Sequence, residues 1–276
     1  MRVFVTGATG YIGSAVVREL IDFGHTVIGL TRSEQGAKRL LEVGADVYHG
    51  DINDADSLQQ GVAHADGVIH LAFNHDFSDF EGALATDYQV IKKIGSILAG
   101  SGKPFVTTAH FNGIASEQEA LSLAKRGVRT SIIELCPSVH GEGDSGFVPQ
   151  LIEIARTTGI SAYVGEGNNR WPAVHRQDAA RLYRLAVEQA EAGTRLDGVG
   201  DEGVAFREIA SVIGKHLNVP VVSIAQEEAH AHFGFLGALV GLDIPRSSHS
   251  TQQILGWQPT YPSLLEDLEQ GHYFNI

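Results

Sequence analysis

Residues Thr6 to Gly13 read TGATGYIG and separate two segments of different periodicity. Before them, Arg2–Thr6 (RVFVT) is a short apolar run that stops at glycine, as a strand buried on both faces does. After them, Tyr11–Phe23 (YIGSAVVRELIDF) places apolar residues at helical spacing and ends at Gly24, a suitable C-cap. A strand that becomes a helix this quickly needs glycine at particular points. Gly7 permits the tight turn, Gly10 lets the backbone approach a pyrophosphate, and Gly13 lets the helix pack close to the strand. The helix N-terminus adds N–H donors and the positive end of its dipole. The GxxGxxG spacing in this context predicts a nucleotide-binding strand–turn–helix, with Gly7, Thr9, Gly10, Tyr11, Ile12 and Gly13 around the ligand.

The same unit recurs along the first half. HTVIGL, ADVYHG, DGVIHLAF and KPFVTTA read as strands. GAKRLLEVG, ADSLQQGVAHA, a longer segment from about Phe80 to Ala99, and SEQEALSLAKRG read as helices, and VRTSIIELC extends the series. Alternating strands and helices imply right-handed crossovers and a parallel sheet covered on both faces. The fold class is therefore α/β: a doubly wound parallel Rossmann sheet with a smaller C-terminal substrate lobe. Residues 1–140 form the nucleotide-binding core, with segments returning from the second half, and 141–276 form mainly the lobe. In that half PSVHGEGDSG reads as a loop, FVPQLIEIARTTG and HRQDAARLYRLAVEQAEAG as helices, and SAYVGEGNNRWPAVH as a Gly/Asn-rich segment.

Composition narrows the function class. With 33 acidic and 20 basic side chains the net charge is −13, and no cationic block is present, which argues against nucleic acid. Hydrophobic residues at 43% and charged residues at 19% are those of a globular chain. The single cysteine, Cys136, has no internal disulfide partner, and no run approaches a membrane span. The N-terminus opens into a strand rather than a signal peptide, so a reducing cytoplasm is the expected compartment. Scattered histidines without ligand-spaced acidic partners suggest no metal site.

Three further strand ends belong to the expected cofactor site. After the second strand come Thr31, Arg32 and Ser33, with no acid until Glu34. An NAD site commonly places a carboxylate there, whereas Arg32 and Ser33 suit a 2′-phosphate, so NADP is favoured over NAD. The alternative is that Arg32 is a solvated loop cation. After the third strand, Asp51 can meet an adenine amino group with Ile52 on the ring, or serve as a helix N-cap. After the fourth, His70 is followed by Leu71, Ala72 and Phe73, whose backbone borders the cofactor.

TGATGYIG, GDIND, HLAF, PSVHG, VHRQDAAR and LGWQP occur in the order seen in extended short-chain dehydrogenases/reductases. The resemblance runs nearly end to end, and HLAFNHDF with the PSVHG loop looks like an atypical subgroup of epimerase/dehydratase-like proteins. It implies a seven-stranded Rossmann sheet, a C-terminal substrate lobe and hydride chemistry on NAD(P)(H). It also places Pro137, Val139 and His140 near the nicotinamide, and a catalytic hydroxyl at the end of the fifth strand, where Thr107 and Thr108 stand. The family's Tyr-x-x-x-Lys is absent from the next helix, where Phe111 and Ala115 occupy its place. A Tyr88–Lys92 pair has the spacing but lies one unit early.

Other proton carriers are His75 beside Asp76, His110, and His140. His175 reads as structural, in a loop that Asp178 caps. Phe73, Phe77, Phe111, Tyr163, Trp171 and the AHFGFLGALVG stretch can line an apolar pocket or simply fill the core. Arg170 is either a carboxylate clamp or a loop cation. The expected activity is NAD(P)H-dependent reduction of a carbonyl or related polarised double bond on a small molecule, with Thr108 positioning the substrate and a histidine, Tyr88 or water supplying the proton. Two alternatives stand beside it: a non-catalytic NADP-binding redox sensor, and a nucleotide-sugar epimerase or dehydratase. A homodimer is a family-level expectation.

Overall fold

Val3, Phe4 and Val5 of β1 (Arg2–Thr6) have no solvent exposure, which puts this strand inside a sheet covered on both faces. A computed structural model describes residues 1–74 and 79–275. The strands are β1, β2 (Thr26–Thr31), β3 (Asp46–His49), β4 (Gly67–His70), β5 (Pro104–Thr108), β6 (Arg129–Leu135), β7 (Ser138–His140), β8 (Ser161–Val164), β9 (Arg170–His175), β10 (Thr194–Gly198), β11 (Asp201–Ala205) and β12 (Val221–Ile224). Seven of them form one parallel sheet in the order β10-β6-β5-β4-β1-β2-β3. Its registers pair Val5 with Ile69 and Thr6 with His70, and then His70 with Thr107. The sequence order reverses at β1, so the carboxyl ends of β1, β4 and β5 lie side by side at the point where open α/β sheets bind ligands.

The helices that follow these strands are α1 (Tyr11–Asp22), α2 (Glu34–Glu42), α3 (Gln59–Ala63), α4 (Phe80–Leu98), α5 (Ile114–Ser122), α6 (Phe147–Thr158), α7 (Arg176–Gln189) and α8 (Phe206–Leu217). The chain divides into two units with interleaved boundaries. One comprises 1–134, 179–196 and 250–257; the other comprises 135–178, 197–249 and 258–276. Phe4, Leu58, Val68, Val90, Ile94 and Phe105 anchor the core of the first. Leu151, Trp171, Phe206, Ile209, Phe233 and Leu268 anchor the core of the second, beneath the small sheets β11-β9-β7 and β12-β8.

Three segments depart from the sequence reading. The Gly/Asn-rich SAYVGEGNNRWPAVH contains β8 and β9, and the PSVHG loop contains β7. ADSLQQGVAHA is a 3₁₀ turn at Ala55–Leu58 before a single short helix. No helix of the described residues is long and apolar enough to cross a membrane.

Candidate nucleotide site

Gly7 has φ +67°, and a β-carbon there would stand 2.7 Å from the Ala72 nitrogen and 2.8 Å from the Leu71 carbonyl carbon. The turn after β1 is therefore pressed against the exit of β4. A β-carbon on Gly13 would fall on the Gly7 carbonyl oxygen, so α1 can start where it does only because both residues lack side chains. Gly10 is the N-cap of α1 and offers no side-chain cap, and the first turn contains no acidic residue. Gly10 is exposed, while Thr9, Tyr11 and Ile12 are half-buried. A backbone cradle that any β-carbon would fill, at the positive end of a 12-residue helix, fits a diphosphate.

At the end of β2, Thr31 is buried and its hydroxyl accepts from the Ser33 amide at 3.3 Å. The Ser33 hydroxyl caps α2, accepting from the Gly36 amide at 3.1 Å. Arg32 is left outward, with its side chain 72% exposed and 3.8 Å from the Asp51 carboxylate. Asp51 itself closes a local turn, accepting from the Asn53 backbone and side-chain nitrogens at 3.0 Å each. The N-cap role weighed for Asp51 belongs instead to Asp54, which accepts from the Asp56 amide. Ile52 packs half-buried against the core of the first unit.

A buried polar cluster lies at the exits of β4 and β5. The Thr6 hydroxyl lies 2.6 Å from His70 Nδ1 and accepts from the Leu71 and Ala72 amides at 3.2 Å each. His70 Nε2 is 3.1 Å from Asp87 Oδ1, and both side chains are 1% exposed. His110 Nε2 is 3.8 Å from the same oxygen, and its side chain reaches solvent with 18% exposure. Burial pushes the Asp87 carboxyl up, but the His70 bond, the two imidazoles and Ser116 outweigh that, leaving it below the ordinary carboxylate value. The His110 ring stacks on Phe73 at 4.0 Å, and Phe73 meets Phe80 edge-on at 6.0 Å. Sequence reasoning missed Asp87, although Ala83, Asp87, Val90, Ile91 and Ile94 share one helical stripe, where a lone carboxylate must find a partner.

Thr108 does not present a free hydroxyl. It donates to the His70 carbonyl at 3.2 Å or shares a 2.7 Å bond with Tyr183, a fully buried residue of α7. Burial raises the Tyr183 phenol far above its usual range. Thr107 points inward and is buried. Tyr88 is half-buried on α4, lining a surface groove of about 280 Å³ with Leu84, Gln89, Asn112 and Ser116, while Lys92 one turn on is exposed. Phe111 is 78% exposed rather than pocket-lining. His75, Asp76 and Phe77 lie outside the described residues.

In the second unit Pro137 is exposed and Val139 half-buried, but the His140 side chain is turned inward. Its Nδ1 bonds Asp267 at 2.9 Å and its ring meets His175 edge-on at 5.3 Å. The Gly141 amide donates to the Tyr273 hydroxyl, which donates in turn to Asp144, whose carboxyl burial pushes up. His140 is thus a packing residue of this unit, contrary to the expectation of a cofactor-facing imidazole. Asp178 accepts from the Thr260 and Tyr261 amides at 2.9–3.1 Å, tying VHRQDAAR to LGWQPTY. His175 stacks flat on Tyr261 at 4.8 Å. Arg170 is no free clamp, because it pairs bidentately with Asp243 at 3.0 Å. Trp171 and Phe233 are core, and the buried Cys136 thiol is pushed up by desolvation. Among the described residues no group of three or more His, Cys, Asp or Glu is arranged to hold a metal.

The profile of the NAD dependent epimerase/dehydratase family matches residues 3–89, the segment that contains the glycine turn, Arg32, His70 and Asp87. An uncharacterised protein of Schizosaccharomyces pombe is 46% identical, covering 99% of this chain and all of that one. The chain belongs to the NAD-dependent epimerase/dehydratase family. This family binds NAD(P), the group that the Gly7–Gly13 cradle fits. A 2-alkyl-3-oxoalkanoate reductase of Stenotrophomonas maltophilia is 26% identical over 72% of this chain and 68% of that protein. The crystal structure of a dTDP-glucose 4,6-dehydratase from Streptomyces venezuelae with NAD bound superposes with a TM-score of 0.76. It covers 99% of this chain and 97% of that one, and at 19% identity it establishes shared fold.

Proposed function

We propose that this epimerase/dehydratase-family protein is an NADP(H)-preferring oxidoreductase that reduces a carbonyl or related polarised double bond of a small molecule. The observation that supports it most is the cradle at Gly7, Gly10 and Gly13 beneath an uncapped helix N-terminus. A bound reduced nicotinamide supplies the hydride, and the protein's task is to hold, orient and protonate. The preference for a 2′-phosphate rests on Arg32. Its contact with Asp51 is long and exposed, the kind worth about 1 kcal/mol or less, so a doubly charged phosphate can recruit the guanidinium. The ketone-reducing name of the Stenotrophomonas relative agrees with this reaction class.

A redox sensor that binds NADPH without turnover is the second reading, favoured by the engagement of the Thr108 hydroxyl with Tyr183. Titration with NADPH and NADH, followed by absorbance loss with a panel of ketones, aldehydes and imines, separates the two. Tighter NADPH binding with turnover is expected. Binding without turnover on any substrate favours the sensor, and indifference to both coenzymes overturns the reading altogether.

A further inference from the structure

We propose that Thr6, His70 and Asp87 form a positioning relay that sets the seat of the coenzyme cradle, with His70 held in the neutral Nε2–H form and Asp87 acting on the cradle through it. The relay rests on the coenzyme-binding half of the reading above.

Thr6 and His70 are the last residues of β1 and β4 and stand opposite one another in the parallel register. The Leu71 and Ala72 amides lie past the end of β4 and need acceptors, and each reaches Thr6 Oγ1 at 3.2 Å. An amide can only donate, so these two take up both lone pairs of the hydroxyl oxygen. The hydroxyl hydrogen is then committed to His70 Nδ1 at 2.6 Å, which must be bare to receive it. A hydrogen on Nδ1, in the other tautomer or in the imidazolium, would be a third donor to an oxygen already filled, inside a buried contact. With Nδ1 bare, the ring carries its hydrogen on Nε2 and donates it to Asp87 Oδ1 at 3.1 Å. Both nitrogens are thereby engaged, as an imidazole on a wholly buried strand requires.

The row runs from β1 through β4 to α4, and its first member borders the glycine turn. The Ala72 nitrogen that Thr6 holds is the atom a β-carbon on Gly7 would approach to 2.7 Å. Turn and strand exit therefore have no slack between them. A shift of the exit toward β1 collides with Gly7, and a shift away opens the turn that a diphosphate would occupy. Thr6 fixes that spacing, His70 fixes the direction of the Thr6 hydroxyl, and Asp87 fixes the His70 ring. Asp87 thus acts on the cradle from two side chains away, as a positioning residue. The 3.8 Å approach of His110 to the same Asp87 oxygen is untouched by any change at Thr6, so variants at the two ends of the row test it independently.

Imidazole nitrogen NMR on histidine-labelled protein, without coenzyme and near neutral pH, reads the tautomer directly. His70, identified by the resonances lost in His70→Gln, is expected as Nε2–H. An Nδ1–H ring or an imidazolium overturns the proposal without any binding assay. NADPH affinity by calorimetry then separates positioning from packing. Thr6→Ser keeps the hydroxyl and should stay within about twofold of wild type, whereas Thr6→Val, of the same shape, should lose about tenfold. Asp87→Asn keeps an acceptor for Nε2–H and should bind NADPH as the wild type does. Asp87→Leu should lose about tenfold and release His70 into a mixture of tautomers. A lower urea midpoint in Asp87→Leu or Thr6→Val with NADPH affinity unmoved would show that the row only packs, and sinks the relay. Failure of the wild type to bind NADPH sinks the coenzyme reading instead, while the tautomer measured without coenzyme is unaffected by that failure.

Discussion

At Gly13 an added methyl would land on the Gly7 carbonyl oxygen, and at Gly7 it would meet the β4 exit in a conformation with φ +67°. Neither neighbour is a flexible side chain that can swing away, so Gly13→Ala must displace α1 from β1. Overpacking of this kind costs about 1–3 kcal/mol or more, read as a lower denaturant midpoint, and NADPH affinity should fall with it. Arg32 presents the opposite case. Its exposed side chain and long contact with Asp51 imply that Arg32→Ala leaves stability within roughly 0.5 kcal/mol of wild type. The same change should weaken NADPH binding about tenfold, a loss of roughly 1.4 kcal/mol, and leave NADH binding unaltered. Equal losses for both coenzymes would show that Arg32 does not read the 2′-phosphate.

At the scale of elements, β5 and α7 are joined by the 2.7 Å bond between Thr108 and Tyr183, 75 residues apart. Tyr183→Phe removes one partner and leaves Thr108 its bond to the His70 carbonyl, so a cost of about 1 kcal/mol in stability is expected, with NADPH binding intact. A bond of this reach left no trace in the sequence, which is why Thr108 read as a free hydroxyl. The β–α alternation of the first half was legible because buried parallel strands and amphipathic helices have different periods. The strands β8 and β9 were not, because each is short and they flank a Gly/Asn turn that dominates the local composition. The glycine cradle was readable to the residue, since its constraint is local backbone geometry. Asp87 was readable in principle, as the one charge on an apolar stripe of α4, but its partners His70 and His110 come from other elements. Asp178 shows the same limit: its place in VHRQDAAR suggested a cap, and the amides it accepts belong to Thr260 and Tyr261, 82 and 83 residues on.

For the whole molecule, acid sensitivity should begin well above the carboxylate range. Burial holds the His175 imidazole below its ordinary value of 6.5, with His140 adding to the effect, and burial does the same to His232. A base whose folded-state pKa is depressed binds fewer protons folded than unfolded once the pH drops beneath 6.5, so each of these residues withdraws stability as the solution is acidified. Asp87, held below its ordinary value, acts in the same direction but lower, as the pH falls through the carboxylate range; Asp144, pushed up by burial, opposes it there. The urea midpoint is therefore expected to be level near neutrality, to decline from about pH 6.5 downward, and to steepen as carboxylates protonate. Replacing both imidazoles, as His175→Gln with His232→Gln, should flatten the first part of that decline and leave the second. The net charge of −13 becomes less negative over the same interval, which relieves repulsion and works against the loss. A wild-type midpoint that holds steady from about pH 7 to about pH 5 would show that this relief, rather than the buried imidazoles, governs the acid limb.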